Sequence, residues 1–291
     1  MLNIKDIIKR NHVEPKEVTA IRDNIIASFK DLEFQEGPHK YYLHKEDGSV
    51  LELPSVSSVT HRFKPYVDWD DKAAQYALKH DMTKEDVQRM WEENNVKATN
   101  NGTSTHLFAE AYMHFFMGHP EKIPAIIKPQ YEKGYLIPYS AKQEAVAKFY
   151  DDLFVNDRIW PVMPEAQVYM GANPDYSSIT PYAGTFDMLF TYQAADSNWK
   201  LLIYDWKTNK NLYSDYARNF DEMALAPFSY MYDESFTYYI LQLNAYSMCL
   251  TQLDYEVADR KVIWLKEDGE YEKYSVPDIT EQLSEALSKT E

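Results

Sequence analysis

The chain has 291 residues, enough for one large domain or two small ones with a substantial core. Its 45% apolar and 26% charged content excludes a disordered, collagenous or fibrous chain. The single cysteine, Cys249, excludes a disulfide framework within the chain, a Cys-rich zinc module and a four-cysteine iron–sulfur cluster, and it fits a reducing compartment. The net charge of −16 argues against a passive, basic nucleic-acid binder. Any hold on a polyanion must come from a local basic patch or from metal ions kept by acids. Only 8 residues are glycine, and neither a dinucleotide-binding loop nor a Walker loop occurs. MLNIKDIIKRN lacks the apolar run of a signal peptide, and nowhere do 18 apolar residues follow one another. The expectation is a soluble cytoplasmic protein without a membrane partner.

Residues 1–35 are mostly helical in pattern, with Ile4, Ile7 and Ile8, then Ile21, Ile25 and Ile26, at helical spacing. Residues 40–53 predict a hairpin turning at Glu46-Asp47-Gly48, closed by Pro54. Residues 68–94 predict two short helices, with Thr83 and Asp86 near capping-box spacing. Asn101-Gly102 precedes an aromatic-rich helix to about Met117, and a loop with four prolines ends at Pro138. Ser140 caps a helix to about Phe154. Residues 164–170, 182–192 and 199–207 are strand-like. A tyrosine-rich loop, a strong helix over about 235–252, a hairpin of 256–265 and 271–276, and a terminal helix opened by Pro277-Asp278 complete the chain. This order predicts an α/β or α+β fold with a central mixed sheet flanked by helices. Residues 1–98 would form a helical and hairpin region packed on a core of 99–291, as one compact body overall.

Chemistry concentrates in LLIYDWKTNK, residues 201–210. Acid-x-Lys occurs four times, at Glu14/Lys16, Asp70/Lys72, Asp205/Lys207 and Asp259/Lys261. Only Asp205/Lys207 closes a run as apolar as Leu201-Leu202-Ile203-Tyr204. Spaced two apart on a strand, both side chains point to one side at the rim of the core. By itself the pair is equally a surface ion pair. Gly184-Thr185-Phe186-Asp187 precedes it by 17 intervening residues, room for two antiparallel strands, so Asp187 can face Asp205 across a hairpin. Carboxylates that close repel unless a cation lies between them, and a few hard oxygen ligands suit Mg²⁺ or Mn²⁺. Upstream, His106, Glu110 and His114 share a helix face, where a core histidine is the plainer reading of His114; two histidines and a glutamate also suggest zinc, but HExxH is absent. Gln242 and Tyr246 lie one turn apart on the strong helix.

Taken together, Gly102-xxx-His106-xxx-Glu110, Gly184-xx-Asp187, Asp205-Trp206-Lys207-Thr208 and Gln242-xxx-Tyr246 resemble the PD-(D/E)XK nuclease superfamily, in its RecB-like branch. These motifs occur in family order over residues 102–246, and Leu53–Thr60 is similar to a segment of phage-encoded members. The resemblance implies a restriction-endonuclease-like core and one or two Mg²⁺ or Mn²⁺ ions held by Asp187, Asp205, the Trp206 carbonyl and His106. It implies that Lys207 orients the attacking water and that Glu110 holds a second ion or its water. Gln242 and Tyr246 would position DNA, and Glu165 opens the strand before Asp187, where many members also carry an acid. Thr208, Lys210, Arg62 and Lys64, with His61, are candidates for further phosphates. Tyr213, Tyr216 and Phe220 could stack bases, although packing is the plainer use of any one of them. Asp205 stands where Glu is also allowed, and Cys249 alone excludes the iron–sulfur subfamily.

The expected function is a metal-dependent DNA exonuclease of phage recombination or DNA degradation, in the host cytoplasm if phage-encoded. Its compatible partners are DNA and a single-strand annealing or single-strand-binding protein, and an oligomer is compatible too. A structure-specific endonuclease or nickase would use the same site. A non-catalytic DNA-binding protein of the same fold is the third reading, against which the intact His106, Asp187, Asp205 and Lys207 argue.

Overall fold

The computed structural model describes residues 13–127, 136–155, 158–171, 173, 175 and 177–288. Ile4, Ile7, Ile8 and the middle of the proline-containing loop, Pro129 included, lie outside the described residues.

Helix α1 (Lys16–Ser28) buries Val18, Ile21 and Ile25. The chain then turns into a three-stranded antiparallel sheet of β1 (Leu32–Gln35), β2 (Lys40–His44) and β3 (Val50–Leu53). Residues 32–35 therefore form a strand and not the end of a helix, and the expected hairpin has a third strand. A segment of four residues is too short for periodicity to separate the two. Ser55 caps the short helix α2 (Val56–Thr60), and Asp68 caps α3 (Trp69–His80).

The next helix, α4 (Lys84–Met117), is continuous for 34 residues. Thr83 caps it, accepting from the Asp86 amide at 3.1 Å, and Gly118 ends it in the left-handed region. Asn101-Gly102 does not begin a new helix, and α4 runs unbroken through residues 98 and 99. Gly102 is kept by a close approach: a Cβ there would lie 3.3 Å from Thr208 Oγ1. Helix α5 (Ala141–Phe154) begins at its Ser140 cap as expected.

The central sheet has the order β4 (Ile159–Met170), β5 (Tyr182–Gln193), β6 (Trp199–Lys207), β7 (Val257–Leu265), β8 (Tyr271–Ser275). Only the β6–β7 pair is parallel, and the crossover between them carries α6 (Asp215–Asn219) and α7 (Ser235–Thr251). Strand β4 begins five residues before the expected 164 because Pro161 and Pro164 mask it in the sequence. Prolines are tolerated there because β4 is an edge strand. A register shift falls between Pro161 and Met163, where buried Arg22 donates from Nε to the Val162 carbonyl at 2.5 Å. The terminal helix α8 (Thr280–Leu287) starts three residues after Pro277.

The sheet divides the core into two layers. One packs Leu201 and Ile203 with Leu241, Leu243 and Ala245 of α7 and with Val18, Ile21 and Ile25 of α1. The other packs Leu202, Tyr204 and Trp206 with Phe149 and Tyr150 of α5 and with Phe108 and Tyr112 of α4. The fold is thus mixed α/β, as expected. Among the described residues no helix is long and apolar enough to cross a membrane.

Candidate metal centre at a splayed strand pair

Strand β5 stays paired with β4 along its length, from Tyr182 to Tyr192. Its ladder with β6 begins only at Met188, opposite Tyr204. One step further the register would set Asp187 opposite Asp205. There β6 leaves β5 but remains paired with β7 through Lys207. The gap separates two buried carboxylates that a continuous ladder would have set directly opposite each other.

Asp187 fills the gap with its side chain. Its Oδ2 accepts the Trp206 amide at 2.6 Å, and its Oδ1 lies 3.1 Å from His106 Nδ1. Its neighbour across β4 is Glu165, between Pro164 opposite Met188 and Ala166 opposite Phe186. Glu165 has φ +47°, a costly backbone for a glutamate inside a strand. One ligand atom each from His106, Glu165 and Asp187 lies within 4.8 Å of the others. Glu165 thus belongs with the two motif residues.

Asp205 is 2% exposed and pairs with the Lys207 ammonium through Oδ2, an oxygen on which no hydrogen bond is aligned. Lys207 Nζ also donates to Gln242 Oε1 at 3.1 Å and lies 4.3 Å from the Tyr239 ring centre. Gln242 Nε2 donates to Tyr246 Oη at 3.2 Å, and Tyr246 donates to the Thr185 carbonyl at 2.7 Å. Gln242 and Tyr246 therefore steady the lysine. Gly184 makes room for them, since a Cβ there would come within 2.7 Å of the Tyr246 ring and 2.9 Å of Val56.

The charges interlock. Burial pushes Asp205 up to about 6, with Asp187 adding repulsion and Lys207 opposing it. Burial and the Asp187 charge likewise hold Glu165 well above the usual carboxylate range. For Asp187 burial acts upward, but His106, Lys207 and the Trp206 amide together bring it below its ordinary value. Burial disfavours the His106 imidazolium, yet Asp187, with Glu165 and Asp205 behind it, raises His106 to about 9. Burial works against the Lys207 charge, but Asp205, Tyr239 and Asp187 together hold it above its ordinary value. Three buried acids thus share one histidine and one lysine as their cationic partners, and His106, Glu165 and Asp187 are close enough together to hold a metal ion. The donor set of one imidazole and carboxylate oxygens, with the undirected Asp205 oxygen beside it, fits Mg²⁺ or Mn²⁺.

The cluster opens into a cleft of about 640 Å³. His106, Glu110, Glu165, Thr185, Gln242 and Tyr246 line it, as do Ser55, Val56 and Ser57 from the segment singled out in the sequence. Glu110 is outside the three-residue cluster, and His114 Nε2 lies 3.6 Å from its Oε1. Other candidates are dispersed. Thr208 turns towards α4 and α5, where its carbonyl accepts from Lys142 Nζ at 2.5 Å. Lys210 borders a separate pocket of about 250 Å³ with Trp264 and Glu267. Arg62, Lys64 and His61 are exposed and do not line the cleft, and Lys64 and His61 sit against Tyr238. Tyr213 packs against Phe236 and Tyr274, while Tyr216 and Phe220 are exposed and contact each other. Sequence reasoning missed the cleft residues Phe34, Glu36, His39, Tyr41 and Gln167. No short motif marks them, because the fold alone brings β1, β2 and their turn together with β4 at the site.

No family model matches the chain, and no curated protein matches it significantly.

Proposed function

We propose that this protein is a metal-dependent DNA exonuclease built on a PD-(D/E)XK core of the RecB-like kind. The observation that carries the reading is the convergence of His106, Glu165 and Asp187 within 4.8 Å, next to the Asp205–Lys207 pair and beside a cleft that His106 and Glu165 line. The α5–β4–β5–β6–α7–β7 order, with a three-stranded meander and a parallel fourth strand, supports the same core.

His106, Glu165, Asp187 and Asp205 would hold one or two divalent ions, with the Trp206 carbonyl as a further candidate. The ion would lower the pKa of water and neutralise phosphate charge. Lys207 stands ready to orient the attacking water and to offset charge on the pentavalent transition state. Its ammonium is fixed by Asp205, Gln242 and the Tyr239 face, so little reorganisation is needed during reaction. Glu110 lines the same cleft and would hold a second ion or its water. Acids that hold cations reconcile a chain of net charge −16 with a polyanionic substrate.

The test is incubation of end-labelled linear DNA and of circular DNA with Mg²⁺, Mn²⁺ or EDTA. The expected result is mononucleotide release from linear DNA, no cutting of circles and no reaction in EDTA. Linearised circles would replace the exonuclease by an endonuclease, and inertness of all substrates would overturn the reading.

A further inference from the structure

The wall of the cleft facing the acidic cluster is aromatic. Phe34 at the end of β1, His39 in the β1–β2 turn and Tyr41 in β2 all line the cleft. The Phe34 and His39 rings meet edge to face at 5.0 Å, and Phe34 and Tyr41 lie 4.7 Å apart. Tyr41 is 3% exposed and anchors the wall to the sheet, its hydroxyl 3.1 Å from Thr185 Oγ1. Phe34 is half-buried and His39 exposed, so both keep ring surface towards the cleft. His39 holds its position at φ +53°, with its amide on the Glu36 carbonyl at 3.2 Å.

Thr185 and Asp187 are two residues apart on β5, about 6.6 Å along a strand. The foot of the aromatic wall, at Tyr41, therefore stands one such step from Asp187, with the Phe34 ring 4.7 Å and the His39 ring 6.5 Å further out from the Tyr41 ring. Glu36 lies on the wall side and disfavours a phosphate there, while a neutral ring is admitted. A cleft of about 640 Å³ is the size of a small-ligand pocket.

We propose that Phe34, His39 and Tyr41 form a subsite for the nucleobase of a single unpaired terminal nucleotide, whose phosphate faces His106, Glu165 and Asp187. This rests on the reading of the cluster as a phosphodiester-hydrolysing site and adds the substrate class. Stacking on an aromatic face is tolerant of base identity, so the subsite selects an unpaired end and not a sequence. Duplex ends are then taken only after the terminal pair frays.

Two measurements test this. The first is calorimetry with the Ca²⁺-loaded protein, comparing deoxyadenosine 5′-monophosphate with 2-deoxyribose 5-phosphate. The second is the ratio of kcat/KM for first cleavage of single-stranded oligonucleotides whose terminal nucleotide is intact or abasic, with each end tested. The wild type should prefer the base-bearing ligand and end by roughly fivefold to a hundredfold. His39→Ala, at an exposed position, and Phe34→Leu, which keeps apolar bulk, should bring both ratios towards one. Absence of a preference in the wild type, or an unaltered preference in both variants, overturns the subsite. Wall-dependent nucleotide binding by a chain that hydrolyses no DNA would keep the subsite and remove the nuclease reading. Hydrolysis with unaltered ratios would do the reverse.

Discussion

Asp187 divides its two oxygens between a helix and a strand: Oδ1 lies 3.1 Å from His106 Nδ1 of α4, and Oδ2 takes the Trp206 amide of β6 at 2.6 Å. A single carboxylate thus stitches the helix to the splayed strand end and closes one side of the cluster. Asp187→Asn keeps the shape but removes the charge. Metal-dependent stabilisation should then vanish. In the wild type, Mn²⁺ at about one hundred times its Kd should add about 2.7 kcal/mol. Thermal melts with and without Mn²⁺ would show it, and an unchanged Mn²⁺ shift in Asp187→Asn would remove Asp187 from the ligand set.

Proton release on metal binding follows from the same knot. His106 is raised to about 9, so without metal it contributes stability that is full below about 6.5 and is lost as pH rises towards 9. Asp205 is raised to about 6, so its buried charge costs stability as pH rises from about 4 to 6. Both act in one direction: each makes the metal-free protein less stable as pH rises. A cation needs the deprotonated forms, so its affinity should rise across roughly pH 6 to 9. Calorimetry at pH 7.5 in two buffers of different ionisation enthalpy should find protons released. Proton uptake, or affinity independent of pH, would contradict the placement of His106 in the site.

Gly184 should tolerate no side chain. Its Cβ would meet the Tyr246 ring at 2.7 Å and Val56 at 2.9 Å, both in packed surroundings. Gly184→Ala is expected to cost about 1–3 kcal/mol through overpacking. Because Tyr246 steadies Gln242, activity should fall as well. Gly102→Ala is a milder case: the 3.3 Å contact to Thr208 opposes a helix-propensity gain of up to about 1 kcal/mol. Denaturant melts of the two variants should differ in that order, and equal midpoints would speak against the close approach at Gly184.

Much of the sheet could be read from sequence because its strands carry their own punctuation. Strand β6 runs from Trp199 to Lys207 as expected, since an apolar run ends sharply in Asp-Trp-Lys. The Ser140 cap was equally legible. Gly102 misled because its cause is a tertiary contact with Thr208, more than 100 residues away. Pro161 and Pro164 concealed the start of β4, because an edge position cannot be known before the strand order. Within the site, His106 and Asp187 stood in motifs, whereas the weight of Glu165 depends on the β4–β5 register and on a left-handed φ. The aromatic wall was invisible for the same reason: Phe34 and Tyr41 look like ordinary core residues until the small sheet is placed over the cleft.

Lys207 and Gln242 should behave as one unit in catalysis. Lys207→Ala removes the ammonium nearest the acids and is expected to lower kcat by about a hundredfold to a thousandfold. Gln242→Ala leaves the charge but removes the acceptor 3.1 Å from Nζ and the amide that donates to Tyr246. The lysine then keeps Asp205 and the Tyr239 face but loses its third restraint. A loss of roughly tenfold to a hundredfold in kcat, with KM little changed, is expected for such a positioning residue. If Gln242 acts through Lys207, the double variant should be hardly worse than Lys207→Ala alone, because the second change removes support from an absent group. Fully multiplicative losses in this double-mutant cycle would show instead that Gln242 meets the DNA directly, as the sequence resemblance implies, and that its contact with Lys207 is incidental.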